Sequence, residues 1–171
     1  GQTFSPGDSN SFNGIINFLK KQSNGNIENK INITTSSFNL TYPPINTTNY
    51  EDSKKWFSVY NPQSSNWLCF EFKENQIIPT NYQIKSIPFG PNSNHLKTWI
   101  LEGSNDSFNW SKLDEQNDNS KLNGNCNTHI FTISNPSSQK FKFIRLRLNG
   151  PDWQNKSFLM LGSIEFYGKL I

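Results

Sequence analysis

Three features of this 171-residue sequence predict an all-β fold, an eight-stranded antiparallel jelly roll or β-sandwich preceded by one short helix. Apolar residues recur at every second position in short runs bounded by Asn, Gly, Pro and Ser. The chain has no Ala, and 10 Gly and 9 Pro are spread through it, so long helices are hard to build. In the other direction, 14 Phe, 5 Trp and 5 Tyr supply a core and argue against disorder, despite a mean hydropathy of -0.70. A helical bundle, a coiled coil and a collagen-like chain are excluded.

The first element is the helix. Phe12, Ile15, Ile16 and Leu19 fall at i, i+3, i+4 and i+7, with Ser9 or Ser11 as the expected cap and Asn24-Gly25 as the stop. The period then changes to two. Ile31 and Ile33 alternate within residues 30–36, and Leu68, Phe70 and Phe72 share one face of residues 67–72. Residues 82–87, 98–102, 128–133, 140–148 and 160–167 read the same way, and a further strand falls near Trp56. In 140–148, Phe141 and Phe143 are out of phase with Ile144, Leu146 and Leu148, which requires a bulge or a change of buried face near Phe143. Residues 103–107 have the composition of a hairpin turn ahead of Trp110, and the polar stretch 115–127 reads as a surface loop. With no repeat and no linker, residues 1–171 are expected to form one domain, on which residues 1–29 pack as a helical extension.

Charge narrows the partners. Sixteen basic and thirteen acidic residues leave a net +3, and Lys20-Lys21 and Lys54-Lys55 are pairs, not runs. Basic residues at 140–147 alternate with apolar ones, as on the solvated face of a strand, so no nucleic-acid partner is expected. Cys69 and Cys126 are too few for a disulfide scaffold and are expected to be free thiols in a reducing compartment. No secretory signal leads these residues and no apolar run approaches 18 residues, so neither a leader nor a membrane span is expected within them. The bias toward Asn, Lys, Ile and Phe, with Val59 the only Val, points to AT-rich coding DNA behind the 26 Asn. Sequons at Asn32, Asn39, Asn46, Asn105, Asn109 and Asn155 are about as many as that composition gives by chance, so they say nothing of secretion.

Catalytic constellations are missing from the sequence. His95 and His129 lie in no catalytic or metal-ligand spacing, and no phosphate-binding, dinucleotide-binding or nucleophile-elbow motif occurs. Carboxylates pair only as neighbours, at Glu51-Asp52 and Asp114-Glu115. No enzyme, cofactor or metal is expected. Four loops are richer: 38–44, 59–66, 89–95 and 150–157 each join an aromatic or apolar residue to amides and hydroxyls, with a Pro to restrict the backbone. That mixture suits sugars or peptide segments. Trp153 is the best single candidate.

The order of motifs resembles the discoidin domain, the C-type module of coagulation factors, in the galactose-binding-like superfamily. A strand ending in a Ser pair is matched by Ile33-Thr34-Thr35-Ser36-Ser37, and a Trp-Leu-X-hydrophobic-acidic-hydrophobic strand by Trp67 through Phe72. Leu101-Glu102-Gly103-Ser104-Asn105-Asp106 with Trp110 matches the Ser-Asp turn before Trp. Phe143-Ile144-Arg145-Leu146 and the closing Glu165-Phe166-Tyr167-Gly168 complete the series. The resemblance implies an eight-stranded jelly roll that binds without catalysis through loops at one end. It extends a binding role to Tyr42, Tyr60, Asn61, Asn92, His95, Trp153 and Gln154. Secreted members often staple their ends with a disulfide, which this chain lacks, so an intracellular type is expected. Sugar-binding relatives often hold calcium through an Asp-Gly loop and the closing Glu. Here that loop reads Asn49-Tyr50-Glu51-Asp52-Ser53, so no metal is expected at Asp52 and Glu165. Both arginines lie within a strand, leaving no charged sugar clamp in view, so a protein or peptide segment is the first expected ligand. A galactose-type sugar is the alternative, and a phospholipid head group is third.

Overall fold

In the computed structural model, which describes every residue except Ser64, the period-two runs become strands whose apolar sides meet. In chain order they are β1 (Gln2–Phe4), β2 (Ile31–Thr35), β3 (Phe57–Tyr60), β4 (Trp67–Phe72), β5 (Ile77–Lys85) and β6 (Trp99–Ser104). β7 (Ser111–Gln116), β8 (Thr128–Thr132), β9 (Phe143–Leu148), β10 (Phe158–Leu161) and β11 (Ser163–Leu170) follow, and helix α1 (Ile15–Gln22) lies between β1 and β2. One sheet has the order β2-β4-β9-β6-β7, a second β1-β11-β5-β8, and β10 pairs with β3 alone. Every strand pair among the described residues is antiparallel. Phe70 meets Phe166 and Trp99 meets Phe131 edge-on across the core, at 5.3 Å in each case. The fold is the expected jelly-roll sandwich. No described helix is long and apolar enough to cross a membrane.

The strand count differs from eight for local reasons. The run 160–167 is two strands, because the chain leaves β3 and joins β5 at Gly162. A Cβ there would stand 3.0 Å from the Ser86 carbonyl oxygen. β7 is mostly polar, with Leu113 its buried apolar residue, so alternation does not reveal it. The phase conflict resolves as a change of face. Phe141 is buried and exchanges both backbone hydrogen bonds with Ile77, whereas Phe143 turns outward against Trp110. The basic strand is an outer face: Glu102 accepts from Arg145 at 2.6 Å and Arg147 at 3.0 Å, and Arg145 covers the Trp110 ring at 3.8 Å. Cys69 and Cys126 are both free.

Inside the core one buried chain of polar groups runs from Trp99 through Tyr82 to Asp114. Trp99 Nε1–H donates to the Tyr82 hydroxyl at 3.0 Å, and that hydroxyl donates to Asp114. Asp114 also accepts from Gln116 Nε2 and the Ser134 backbone N–H. Burial and the neighbouring carboxylate raise the Tyr82 hydroxyl well above its ordinary range, which keeps it a donor.

Helix α1 is capped differently from expectation. Neither Ser9 nor Ser11 caps it. Its N-cap is Gly14, and the capping group is the Glu165 carboxylate on β11. That carboxylate accepts from the backbone N–H of Gly14 at 3.0 Å, Ile16 at 2.8 Å and Asn17 at 3.0 Å, and from its neighbour Phe166 at 2.8 Å. Gly14 allows the approach, since a Cβ would stand 2.4 Å from the Phe166 carbonyl oxygen. Ser9 and Ser11 contribute carbonyls instead, one to Gln83 Nε2 and the other to the Tyr167 hydroxyl. The helix N-terminus, with its unsatisfied N–H groups and positive dipole end, is the counterweight to a buried carboxylate.

Burial pushes the Glu165 carboxyl up to about 7, with the backbone donors pulling the other way. The folded protein therefore holds this proton more tightly than the unfolded chain. The stability it contributes is fully present below about 4.5 and is lost as pH rises through about 7. Glu165→Ala leaves buried donors without an acceptor, and urea unfolding should show a loss of about 3 kcal/mol or more. Glu165→Gln, which keeps one acceptor oxygen, should cost less and abolish the fall in stability between pH 5 and 7.5.

Candidate functional site

Alternation also decides what lies outside the β3–β10 ladder. Phe57, Val59, Leu159 and Leu161 enter the core. Ser58, Tyr60, Phe158 and Met160 therefore share the opposite face, with Ser58 across from Met160 and Tyr60 across from Phe158. The Tyr60 and Phe158 rings stack at 4.4 Å. Around this floor stand three loops, and together they enclose an open bowl of about 370 Å³. Tyr42, Trp56, Phe89, Asn94 and Gln154 line it with Ser58, Ile87, Ser93, Phe158 and Met160.

Trp56 is its centre. The Tyr42 ring lies nearly parallel to the indole at 5.1 Å, and Phe89 meets it edge-on at 5.5 Å. Asn46 Nδ2 donates to the Trp56 carbonyl at 2.9 Å. The Trp56 Nε1–H is buried and has no hydrogen-bond partner among the described residues. A buried donor without an acceptor is costly, and such groups in native proteins call for an explanation.

Each loop is held by its own polar device. Asn39 Oδ1 accepts from the N–H of Thr41 and Tyr42, and Asn39 Nδ2 donates to the Ser58 carbonyl, so Tyr42 is fastened to β3. Phe38 and Leu40 on the same loop are 83% and 81% exposed. In the second loop, His95 Nε2 lies 2.9 Å from both the Phe89 and Gly90 carbonyls. It must carry the proton to satisfy them, which leaves Nδ1 buried and without a partner among the described residues. In the third, buried Asp152 accepts from the N–H of Gln154 and Lys156 and from Asn94 Nδ2 at 2.9 Å. That last bond ties the second loop to the third, and Asn94 Oδ1 has no partner among the described residues.

The structure separates the seven residues named from sequence. Tyr42 and Gln154 line the bowl, and Tyr60 lies outside the lining, stacked on Phe158. Asn61 sits one residue beyond and accepts from the Gln63 N–H. Asn92 adopts a left-handed φ of 63° and pairs with Asn123. His95 is fully buried beneath the Phe89 loop, and Trp153 is a brace, donating from Nε1 to the Asn119 carbonyl with Lys97 4.8 Å over its ring. Trp56, Phe158 and Met160 escaped sequence reading. The signal was present, because Phe158 and Met160 alternate with the core residues Leu159 and Leu161 where the run read as starting at 160 begins.

Two other places carry less. Glu165 is committed to the helix, and Asp52 Oδ1 accepts from the Lys54 N–H. A larger cavity of about 510 Å³ opens between α1 and residues 48–51, but Lys20 on its wall is already bonded to the Thr48 carbonyl.

Comparison with known proteins agrees with the architecture. No family model matches the chain. The family 32 carbohydrate-binding module of NanJ from Clostridium perfringens, solved with galactose, superposes with a TM-score of 0.60 at 10% identity, covering 82% of this chain and 95% of that one. A family 32 module of a C. perfringens family 89 protein, solved with GalNAc-β-1,3-galactose, gives 0.62 at 11% identity, covering 82% and 97%. A pectin-binding module gives 0.57 at 22% identity, covering 80% and 89%. The chain therefore shares the jelly-roll fold of these modules. In sequence, 98 residues are 29% identical to the E3 ubiquitin-protein ligase Ufd4 of Drosophila melanogaster, and 97 residues are 25% identical to the ligase hecd-1 of Caenorhabditis elegans. Each match takes 56% of this chain and 4% of the ligase.

The role of His95 is open to measurement. His95→Ala removes the donor that two carbonyls share, so amide hydrogen exchange should quicken across residues 88–94 while the β4 and β9 amides keep their protection. Equal quickening throughout would mean that His95 supports the core and not this loop.

Proposed function

We propose that this chain is a non-catalytic recognition module that binds a saccharide in the Trp56 bowl. The observation that carries this reading is a bowl lined by the rings of Tyr42, Trp56, Phe89 and Phe158 and the amides of Asn94 and Gln154, in which the buried Trp56 Nε1–H, without a partner among the described residues, is reached once the indole turns toward the ligand. A sugar offers an apolar C–H face for Tyr42, Phe89 or Phe158 and oxygens for an indole donor. Neighbours of the same fold solved with galactose and with GalNAc-β-1,3-galactose support a sugar over the protein segment expected first from sequence. A peptide segment stays as the second reading. It is favoured by the likeness to stretches of two ubiquitin ligases, and the two free thiols fit an intracellular setting for either ligand.

Trp56→Phe keeps the ring and removes only the donor. On a glycan array the wild-type domain should give a defined set of saccharide hits and return the glycans unaltered. Trp56→Phe should weaken those hits about tenfold, the worth of one hydrogen bond of about 1.4 kcal/mol. A blank array, together with a peptide hit lost in the same variant, would move the assignment to the second reading.

A further inference from the structure

Taking the saccharide reading as its basis, we infer that the bowl selects neutral sugars and rejects acidic ones, with the Trp56 indole N–H reading a ligand oxygen. The lining holds no Asp, Glu, Lys or Arg. The nearby carboxylate, Asp152, is buried and spends its oxygens on Asn94 and two backbone N–H groups. The exposed lysines flanking these loops, Lys54, Lys55 and Lys156, stand outside the lining, and other cations are committed elsewhere. Arg145 and Arg147 are tied to Glu102 on the outer face of the five-stranded sheet, and Lys97 lies over Trp153 and 3.6 Å from Asp118.

A uronic acid entering the bowl would therefore exchange water for rings, with neutral donors in the lining and the nearest lysines out in solvent to meet its charge. Burying an ion without a counter-charge costs far more than burying a hydroxyl that finds a hydrogen bond. The matching neutral sugar asks for less. Trp56 Nε1–H supplies a donor, Asn94 Oδ1 an acceptor and the Gln154 amide both. The net charge of +3 attracts anions from a distance, but at physiological salt that attraction is screened within about 8 Å. Local chemistry decides.

Calorimetric titration with matched pairs tests this: galactose against galacturonate and glucose against glucuronate, at pH 7 and 150 mM salt. In any pair that binds, the neutral sugar should be tighter by about tenfold or more. Gln154→Lys puts an ammonium on the exposed rim and should narrow that ratio to about threefold by strengthening the uronate. A uronate that binds as tightly as its neutral partner, or a ratio that Gln154→Lys leaves unmoved, would overturn the inference. If no sugar of either kind binds, the saccharide reading fails and takes this inference with it. Peptide binding lost in Trp56→Phe would identify that case.

Discussion

One carboxylate, Glu165, joins the two ends of the chain, and the position of the bowl follows from it. Its oxygens hold the first turn of α1 against β11, so a segment with little core of its own becomes part of the sandwich. Tyr50 adds a second tie, its hydroxyl donating to the neighbouring Ile164 carbonyl at 2.7 Å. An ionised carboxylate at such depth is unfavourable alone, and the helix N-terminus makes it tolerable. The same strand pairs with β5 in a register that sets Glu165 across from Gln83. Gly162 then donates to the Lys85 carbonyl, fixing where β10 ends and where β5 leaves the sheet. β10 carries Phe158 and Met160, and the chain beyond β5 leads on to Ile87 and Phe89. The floor and one wall of the bowl are therefore set by the strand that clamps the helix.

The remaining walls use a different principle. Asn39, His95 and Asp152 each satisfy several backbone groups of a short loop, so Tyr42, Phe89 and Gln154 are presented by hydrogen bonds more than by burial. Prearranged loops lower the ordering cost of binding. The orphan donor on Trp56 and the unpaired His95 Nδ1 are the two exceptions among the described residues, and of the two only Trp56 lines the bowl. Polar groups around it are matched with some care, which makes its lack of a partner informative.

Much of the fold was legible because aromatic and aliphatic residues alternate over a polar background. Leu68, Phe70 and Phe72 announced β4, and Ile144, Leu146 and Leu148 announced β9. What failed to show was set by distant contacts. Glu165 caps a helix that starts 150 residues earlier, and no local rule for helix starts reaches that far. β7 hid because Asp114 takes an inward position that alternation reserves for an apolar residue, and the Tyr82 hydroxyl explains why it can. At the site, the loops were found but their members were sorted by exposed polarity. His95 and Trp153 look like ligands in sequence, yet folded they hold other loop atoms. Trp56 looked like the mere start of a strand. Its importance rests on a missing partner, which only coordinates reveal.

The account stands on that indole. The chain has five tryptophans, and a ¹H–¹⁵N spectrum resolves their side-chain N–H groups separately from the backbone. A saccharide from the positive set should be titrated into the labelled domain while those five resonances are followed. The Trp56 Nε1–H resonance should move downfield as it gains an acceptor, saturating with the same affinity as calorimetry, while the Trp99 resonance, already bonded to Tyr82, stays in place. A saturable shift confined to Trp67, Trp110 or Trp153, with Trp56 unmoved, would contradict the account and place the ligand elsewhere on the sandwich.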